Sequence, residues 1–465
     1  MNASITIKCA TELTIDQSAV SDLEAVYGKI AKRIIPFLTL LFTMAYVDRN
    51  NLGFAHDRMI LDLKFSQTIY GFGAGIMYLG YALFEIPSNL LLPKIGARRT
   101  FARITILWGI TSLATMFVKT PMQFYILRFL LGSFEAGMFP GALLYLTYWF
   151  PSRRGAQMVS LFATSMPISN ILSGAVSPWI MGSMGGRAGL ANWQWLFMLE
   201  GIPSIVLGIL ALLIMVDKPA EAGWLTEGDK RLLLADLEVD RRATGPREHG
   251  FGEALKLPKL WLLTVIRFCG VSANLTVIYW LPSIIKDLGV ESRFTTGILF
   301  ALPSVAGLVG LVLLGRHSDR TGERRYHCAL AYLASGLGLI GTGFFVGSPV
   351  LAFVCVVMTI AGPMMANGPF WQIPRLLLAG PAAAGGIALI NSIGSLSGWI
   401  GPSALGWLQD VTGKVTTGLY VLAGLEILAT VLILLTVPRS VPITATSLTA
   451  RQAPPTQNPR KGFRH

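Results

Sequence analysis

The sequence predicts an all-α membrane protein of twelve transmembrane helices in two pseudo-symmetric six-helix bundles. Three observations predict it. Only 14% of the 465 residues are charged while 53% are hydrophobic, whereas a soluble chain carries about a quarter of its residues charged. Twelve stretches have the ~20 apolar residues that a 30 Å hydrocarbon core demands. A basic, glycine-containing loop recurs at the same place in each half, and paired bundles with a site between them are the plan of many secondary transporters.

The segments follow in order. Residues 1–33 are polar and mixed in charge and lack the short apolar core of a cleavable signal, so they read as a cytoplasmic tail. Residues 34–216 hold the first bundle, with spans at 34–54, 70–92, 100–118, 121–149, 158–182 and 193–216. Residues 217–258 form a linker. Its run LTEGDKRLLLADLEVDRR sets leucines among charges, the pattern of an amphipathic surface helix. Residues 259–437 hold the second bundle, with spans at 259–285, 294–315, 328–346, 349–371, 384–408 and 416–437. Residues 438–465 form a second cytoplasmic tail, polar and proline-bearing and expected to be disordered. Lys and Arg crowd the loops that share a side with both tails, which places both termini in the cytoplasm. The net charge of +13 is explained the same way. No basic run is interleaved with aromatics, so nucleic acid is not an expected partner.

The four cysteines are scattered and no Cys/His cluster is present, so no disulfide framework, metal or other cofactor is expected. HExxH, GxSxG and P-loop motifs are lacking, which argues against an enzyme. The five histidines fall outside spans or at their ends, so no histidine proton relay is expected.

Charges inside spans carry the functional signal. The stretch 121–150 is apolar enough to span, yet it holds Arg128 and Glu135. Each costs about 3 kcal/mol or more at bilayer depth. Their separation is two helical turns, so they lie near one face. A buried ion pair holding helices together would account for them, as would a substrate or proton path. In the first span, Asp48 and Arg49 stand about 100° apart on a helix and therefore seek separate partners. Arg49 is expected to anchor an anionic substrate, because guanidinium grips carboxylate through two parallel hydrogen bonds. Pairing of Arg49 with Asp48 or Glu135 is the structural alternative. Glu135 is placed to carry a proton: burial raises a carboxyl pKa and a nearby Arg lowers it, so protonation would free an arginine for substrate. In the second half, Trp371 and Gln372 on the tenth span and Asn391, Ser392 and Ser395 on the eleventh offer polar and aromatic contacts, although Gly/Ser-rich spans also serve helix packing. Tyr46 and Tyr78 join the candidate substrate contacts. Glu85 is expected near a gating loop, Glu200 and Glu426 as structural partners, and Arg267 close to the interface between the halves.

After the eighth span comes GRHSDRTGERR, and after the second NLLLPKIGARR. Aligning Gly322 with Gly96 superposes Arg324 and Arg325 on Arg98 and Arg99. The Gly315–Arg325 run, with Asp319 and Arg320, resembles the signature loop of the major facilitator superfamily; the first copy has Asn89 and Pro93 where the signature has Gly and Asp. YVDRNNLGFA (46–55), EIPSNLLLPKIGARR (85–99) and RFLLGSFEAGMFPG (128–141) resemble the anion:cation symporter family of tartrate, phthalate, aldonate and hydroxyphenylacetate permeases, over about Ile34 to Pro438. The resemblance implies proton-coupling sites at Asp48 and Glu135, a substrate arginine at Arg49, and an arginine tied to conformational change at Arg128. It implies gating loops at Asp319, Arg320, Arg324, Arg325, Arg98 and Arg99. The expectation is therefore a monomeric carrier in the bacterial inner membrane. It would import a small organic anion such as tartrate with protons by alternating access. Exchange of anions, and symport of an aromatic carboxylate, are the alternatives.

Overall fold

The computed structural model describes residues 17–244, 255–377 and 382–438. The rest of the two expected tails and residues 245–254 of the linker lie outside the described residues. The described chain is helical, with no strand among its residues. The helices are α1 Gln17–Leu63, α2 Gln67–Ile95, α3 Ala97–Ala114, α4 Pro121–Glu135, α5 Met138–Thr147, α6 Ser152–Ala163, α7 Ser165–Ser183 and α8 Asn192–Ile214. After the linker helix α9, Glu227–Thr244, come α10 Pro258–Val277, α11 Leu281–Asp287, α12 Arg293–Thr321, α13 Arg325–Phe344, α14 Pro349–Leu377, α15 Ala382–Ser395, α16 Ser397–Thr412 and α17 Val415–Thr436.

Among the described residues, ten stretches, with α4 and α5 counted together, are long and apolar enough to cross a membrane. The fifth and eleventh spans complete the twelve. Each is split into two shorter helices, α6/α7 meeting at Thr164 and α15/α16 meeting at Leu396. Local chemistry sets many of the ends. Thr120 and Gln123 form a reciprocal capping box ahead of Pro121 at the start of α4. Gly137, at φ 88°, then breaks the fourth span where only a residue without Cβ is unstrained.

The two halves meet closely at the face opposite the one that carries the chain ends and linker. Glycines without a Cβ make this possible. A Cβ on Gly75 of α2 would stand 2.5 Å from the Trp399 carbonyl of α16, and one on Gly53 of α1 would stand 2.9 Å from the carbonyl of Ile278. Gly71 against Pro402, Gly406 against Gln67, and Gly174 against Gly297 are closer still. Small residues let backbones approach in this way wherever lipid, rather than water, surrounds a bundle. Polar contacts cross the same seam. Asp410 of α16 accepts from the backbone N–H of Gln67 at 3.0 Å and of Thr68 at 2.7 Å, and from Thr68 Oγ1 at 2.5 Å, at the N-terminus of α2. Asp57 accepts from Ser283 Oγ at 2.7 Å and Lys286 Nζ at 3.0 Å. Buried His56 lies 2.9 Å from Ser283 Oγ and 3.0 Å from Gln67 Oε1.

At the terminal face, the linker helix α9 is docked on the first half. Asp236 accepts from Tyr27 Oη at 2.5 Å and from Arg153 Nη2 at 2.6 Å, and Asp229 accepts from Lys29 Nζ at 2.9 Å; beside them, Arg154 of α6 pairs with Glu24 of α1. Burial pushes the Asp236 carboxyl up, but the hydrogen bonds from Arg153 and Tyr27 outweigh it and hold the group below the usual carboxylate range.

The two signature loops are completed differently. In the second, Asp319 pairs with Arg324 at 2.7 Å, Arg324 donates to Ser318 Oγ, and Arg325 reaches the Leu434 carbonyl at the end of α17. In the first, Pro93 cannot supply a carboxylate, and Asp217, just beyond α8, accepts from the Arg98 backbone N–H at 2.7 Å instead. Arg98, Arg99 and Arg320 have exposed side chains. Next to the second loop, His317 Nδ1 lies 2.7 Å from His327 Nε2, whose other nitrogen is 2.6 Å from Glu323.

Candidate functional site

Arg49 and Glu135 face each other deep between the spans. Arg49 Nη2 donates to Glu135 Oε1 at 2.6 Å, and Arg49 Nε donates to Oε2 at 3.2 Å. This is a planar fork on a carboxylate, the geometry that makes arginine suited to carboxylates in general. Three tyrosine rings surround the guanidinium, with centroids at 5.1 Å for Tyr46, 5.9 Å for Tyr78 and 5.6 Å for Tyr81. The Arg49 side chain is 17% exposed and that of Glu135 5%, so solvent reaches the pair chiefly from the arginine side. The break after Glu135 positions it: Glu135 is the last residue of α4, and Gly132, one turn earlier, lets α4 lie against the Met77 carbonyl of α2.

Asp48 points away from this cage. Its Oδ2 accepts from Trp108 Nε1 at 2.8 Å and Ser204 Oγ at 2.7 Å, and its Oδ1 from Ser112 Oγ at 2.9 Å. It is 2% exposed. Arg128 is 1% exposed and does not pair with Glu135. Its Nη2 donates to Met77 Sδ at 3.4 Å, and its Nε meets no acceptor among the described residues. The ion pair that the sequence offers within one helix is thus replaced by one between α1 and α4.

The second-half candidates fall into separate groups. Trp371 Nε1 donates to Asn367 Oδ1 at 3.0 Å. Ser392 Oγ donates to Glu85 Oε2 at 2.8 Å, a contact between the halves on the terminal side. Gln372 and Asn391 are partly buried and make no hydrogen bond to the Arg49–Glu135 pair. Deeper, Asn50 Nδ2 donates to Asn170 Oδ1 at 2.6 Å, and Asn170 Nδ2 donates to Ser304 Oγ at 2.5 Å, linking α1 and α7 to α12.

Sequence reasoning missed Tyr81 and Asn367. Tyr81 lies one turn from Tyr78, and Asn367 one turn from Trp371, so helical spacing was the available signal in both cases. Among the described residues, no group of three or more His, Cys, Asp and Glu is arranged to hold a metal ion.

A family model described as Major Facilitator Superfamily matches residues 38–402. The chain belongs to the major facilitator superfamily. Its twelve spans in two six-helix bundles are the architecture of this family of membrane transporters. Among similar proteins, one of Agrobacterium vitis named "Putative tartrate transporter" is 44% identical over 441 residues, covering 94% of this chain and 97% of that protein. The "Putative metabolite transport protein NicT" of Pseudomonas putida is 40% identical, covering 91% and 97%. The "Inner membrane transport protein RhmT" of Escherichia coli is 34% identical, covering 88% and 95%. Among solved structures, the xylose transporter XylE from E. coli in an inward open conformation has a TM-score of 0.71 at 14% identity, covering 90% of this chain and 99% of that one. A bacterial homologue of the human lysosomal transporter Spinster has a TM-score of 0.66 at 15% identity, covering 86% and 94%. At such identities the two structures speak to the fold alone.

Proposed function

We propose that this transporter imports a small organic anion, a tartrate-like hydroxy acid, with protons by alternating access. It does so as a monomer in a bacterial inner membrane, with both termini in the cytoplasm. The single observation behind this reading is the forked Arg49–Glu135 pair inside its cage of three tyrosines. A carboxylate substrate and the Glu135 carboxylate compete for one guanidinium. When Glu135 takes a proton, its hold on Arg49 weakens and the fork is free to grip the substrate. When the substrate leaves, Glu135 gives up the proton and closes on Arg49 again. Tyrosine faces keep the cation in place between the two states. A neutral substrate would leave the freed arginine buried without an anion, which is unfavourable. The 44% identical Agrobacterium relative named for tartrate supports a hydroxy-dicarboxylate. Asp48 joins Glu135 in proton coupling, and Arg128 serves conformational change. Trp371, Gln372, Asn391 and Ser392 complete the path from the second half. With the termini inside, the face where the halves meet closely is the external one, and the two signature loops lie on the cytoplasmic side.

The test is external pH in lightly buffered proteoliposomes as tartrate, galactonate, phthalate, 4-hydroxyphenylacetate or a neutral sugar is added. Alkalinisation with one anion supports proton symport and identifies the substrate class. Glu135→Gln should keep binding and exchange but lose pH-driven accumulation, and Arg49→Ala should lose carboxylate binding. Anion movement without any pH change, and only against an internal anion, would replace this reading with exchange.

A further inference from the structure

Arg267 is a further cation inside the membrane region besides Arg49 and Arg128, and like Arg128 it meets no carboxylate among the described residues. It projects from α10 and is half-buried. Its guanidinium lies 5.1 Å from the Trp371 ring centroid and 5.5 Å from that of Phe370. Its Nη1 donates to Asn367 Oδ1 at 3.1 Å, the same oxygen that accepts from Trp371 Nε1. One neutral oxygen therefore serves two donors, the neutral Tyr332 hydroxyl also lies at the guanidinium, and no acidic acceptor reaches it among the described residues. A Cβ on Gly394 of α15 would collide with the Arg267 stem, so this helix too is shaped around the arginine. Aromatic faces fix a guanidinium without neutralising it, and an unneutralised cation at this depth is costly to keep. Such a cation, held in place and partly open to solvent, is built to meet an anion.

Its level separates it from Arg49. Gly53 abuts the Ile278 carbonyl, so these positions mark one height in α1 and after α10. Arg49 lies four residues below that mark and Arg267 eleven, toward the terminal face. At 1.5 Å per residue their backbone positions are offset by about 10 Å along the helices. The two guanidiniums also have separate partners, Glu135 and three tyrosine rings for Arg49 and Asn367, Phe370 and Trp371 for Arg267.

We infer that Arg267, with Asn367 and Trp371, forms a second anion station, which takes a carboxylate group between the Arg49 cage and the terminal face. The station rests on the proposed organic-anion transport. An anion leaving Arg49 exchanges one guanidinium for another before reaching water, instead of crossing the apolar wall unaccompanied.

The test uses the full-length chain in proteoliposomes, with labelled tartrate as probe, or whichever acid of the panel the wild type moves. Arg267→Gln should leave equilibrium affinity within about twofold and slow counterflow by about tenfold, as loss of one charge-assisted contact would. Arg267→Lys should recover much of that rate, because a point charge remains. Asn367→Ala, which frees the guanidinium from its anchor, should show the same separation of rate from affinity and serves if Arg267→Gln does not fold. Wild-type counterflow in Arg267→Gln, or a loss of affinity equal to that of Arg49→Ala, would overturn the station while leaving organic-anion transport intact. A wild type that moves none of the acids would overturn the transport reading on which the station depends.

Discussion

Replacing Asp410 with Asn should loosen the shut face. The acceptor is in the second half, and its three donors, two of them the first backbone N–H groups of α2, are in the first. The contact therefore exists only while the halves are closed there, and its whole free energy biases that equilibrium. Asn keeps an amide oxygen that caps a helix N-terminus about as well as Asp does, so the substitution removes the negative charge at the positive end of the helix dipole, worth about 0.3–1 kcal/mol. The site is solvent-exposed, and screening keeps the loss within that range. At 1.4 kcal/mol per factor of ten, the shut state should lose roughly two- to fivefold in population relative to the open one. The assay is a spin-label distance between cysteines replacing Lys64 and Lys414, both exposed in loops on that face, in a background lacking the native cysteines. Asp410→Asn should add a longer-distance population and change the rate-limiting step of exchange. An unchanged distance distribution with a lowered melting temperature would show that the contact supports stability only, and the reasoning would fail.

Two further predictions rest on contacts described above. Gly71→Ala puts a methyl group into the Pro402 backbone; it should disfavour the shut face more strongly than Asp410→Asn, seen as faster thiol labelling of a cysteine placed at Ser403, and unchanged labelling would argue against a Cβ-free seam. Asp236 titrates below its ordinary value, so its contribution to docking α9 is complete above the unfolded pKa of about 3.9 and lost only as pH falls through the lower folded value. Hydrogen exchange across 227–244, corrected for intrinsic rates, should then be alike at about pH 5.5 and about pH 7.5, and marked deprotection at the lower value would contradict it.

The spans were legible because bilayer thickness imposes a length and an apolar composition that can be read locally. The breaks at Thr164 and Leu396 were not, since hydropathy averages across them. Arg49 and Glu135 were visible as charges where charge is costly. Their pairing was one of several possibilities, because which face of α4 meets α1 depends on how closely Gly132 lets α4 approach α2. The carboxylate at the first signature loop could not be found from that loop: Pro93 removes it from the motif, and Asp217 supplies one from the far end of the same half. The grouping of Arg267 with Asn367 and Trp371 joins two spans about a hundred residues apart in sequence, a pairing that no local pattern specifies.

The Arg49–Glu135 pair has an electrical consequence. Both residues belong to the first half, so the proposed rocking of the halves would carry them together and would not pull them apart; a change of protonation or of anion would be needed to open the pair. Empty, the pair sums to zero charge. With a proton on Glu135 and a monocarboxylate on Arg49, it again sums to zero. A dicarboxylate with a single proton leaves one negative charge, and moving that inward against an inside-negative potential costs about 2.3 kcal/mol per 100 mV. A second proton removes that cost. Under the proposed proton symport, the voltage dependence of uptake would count the protons: flat for a dicarboxylate carried with two, and steepening against the membrane potential for one carried with one.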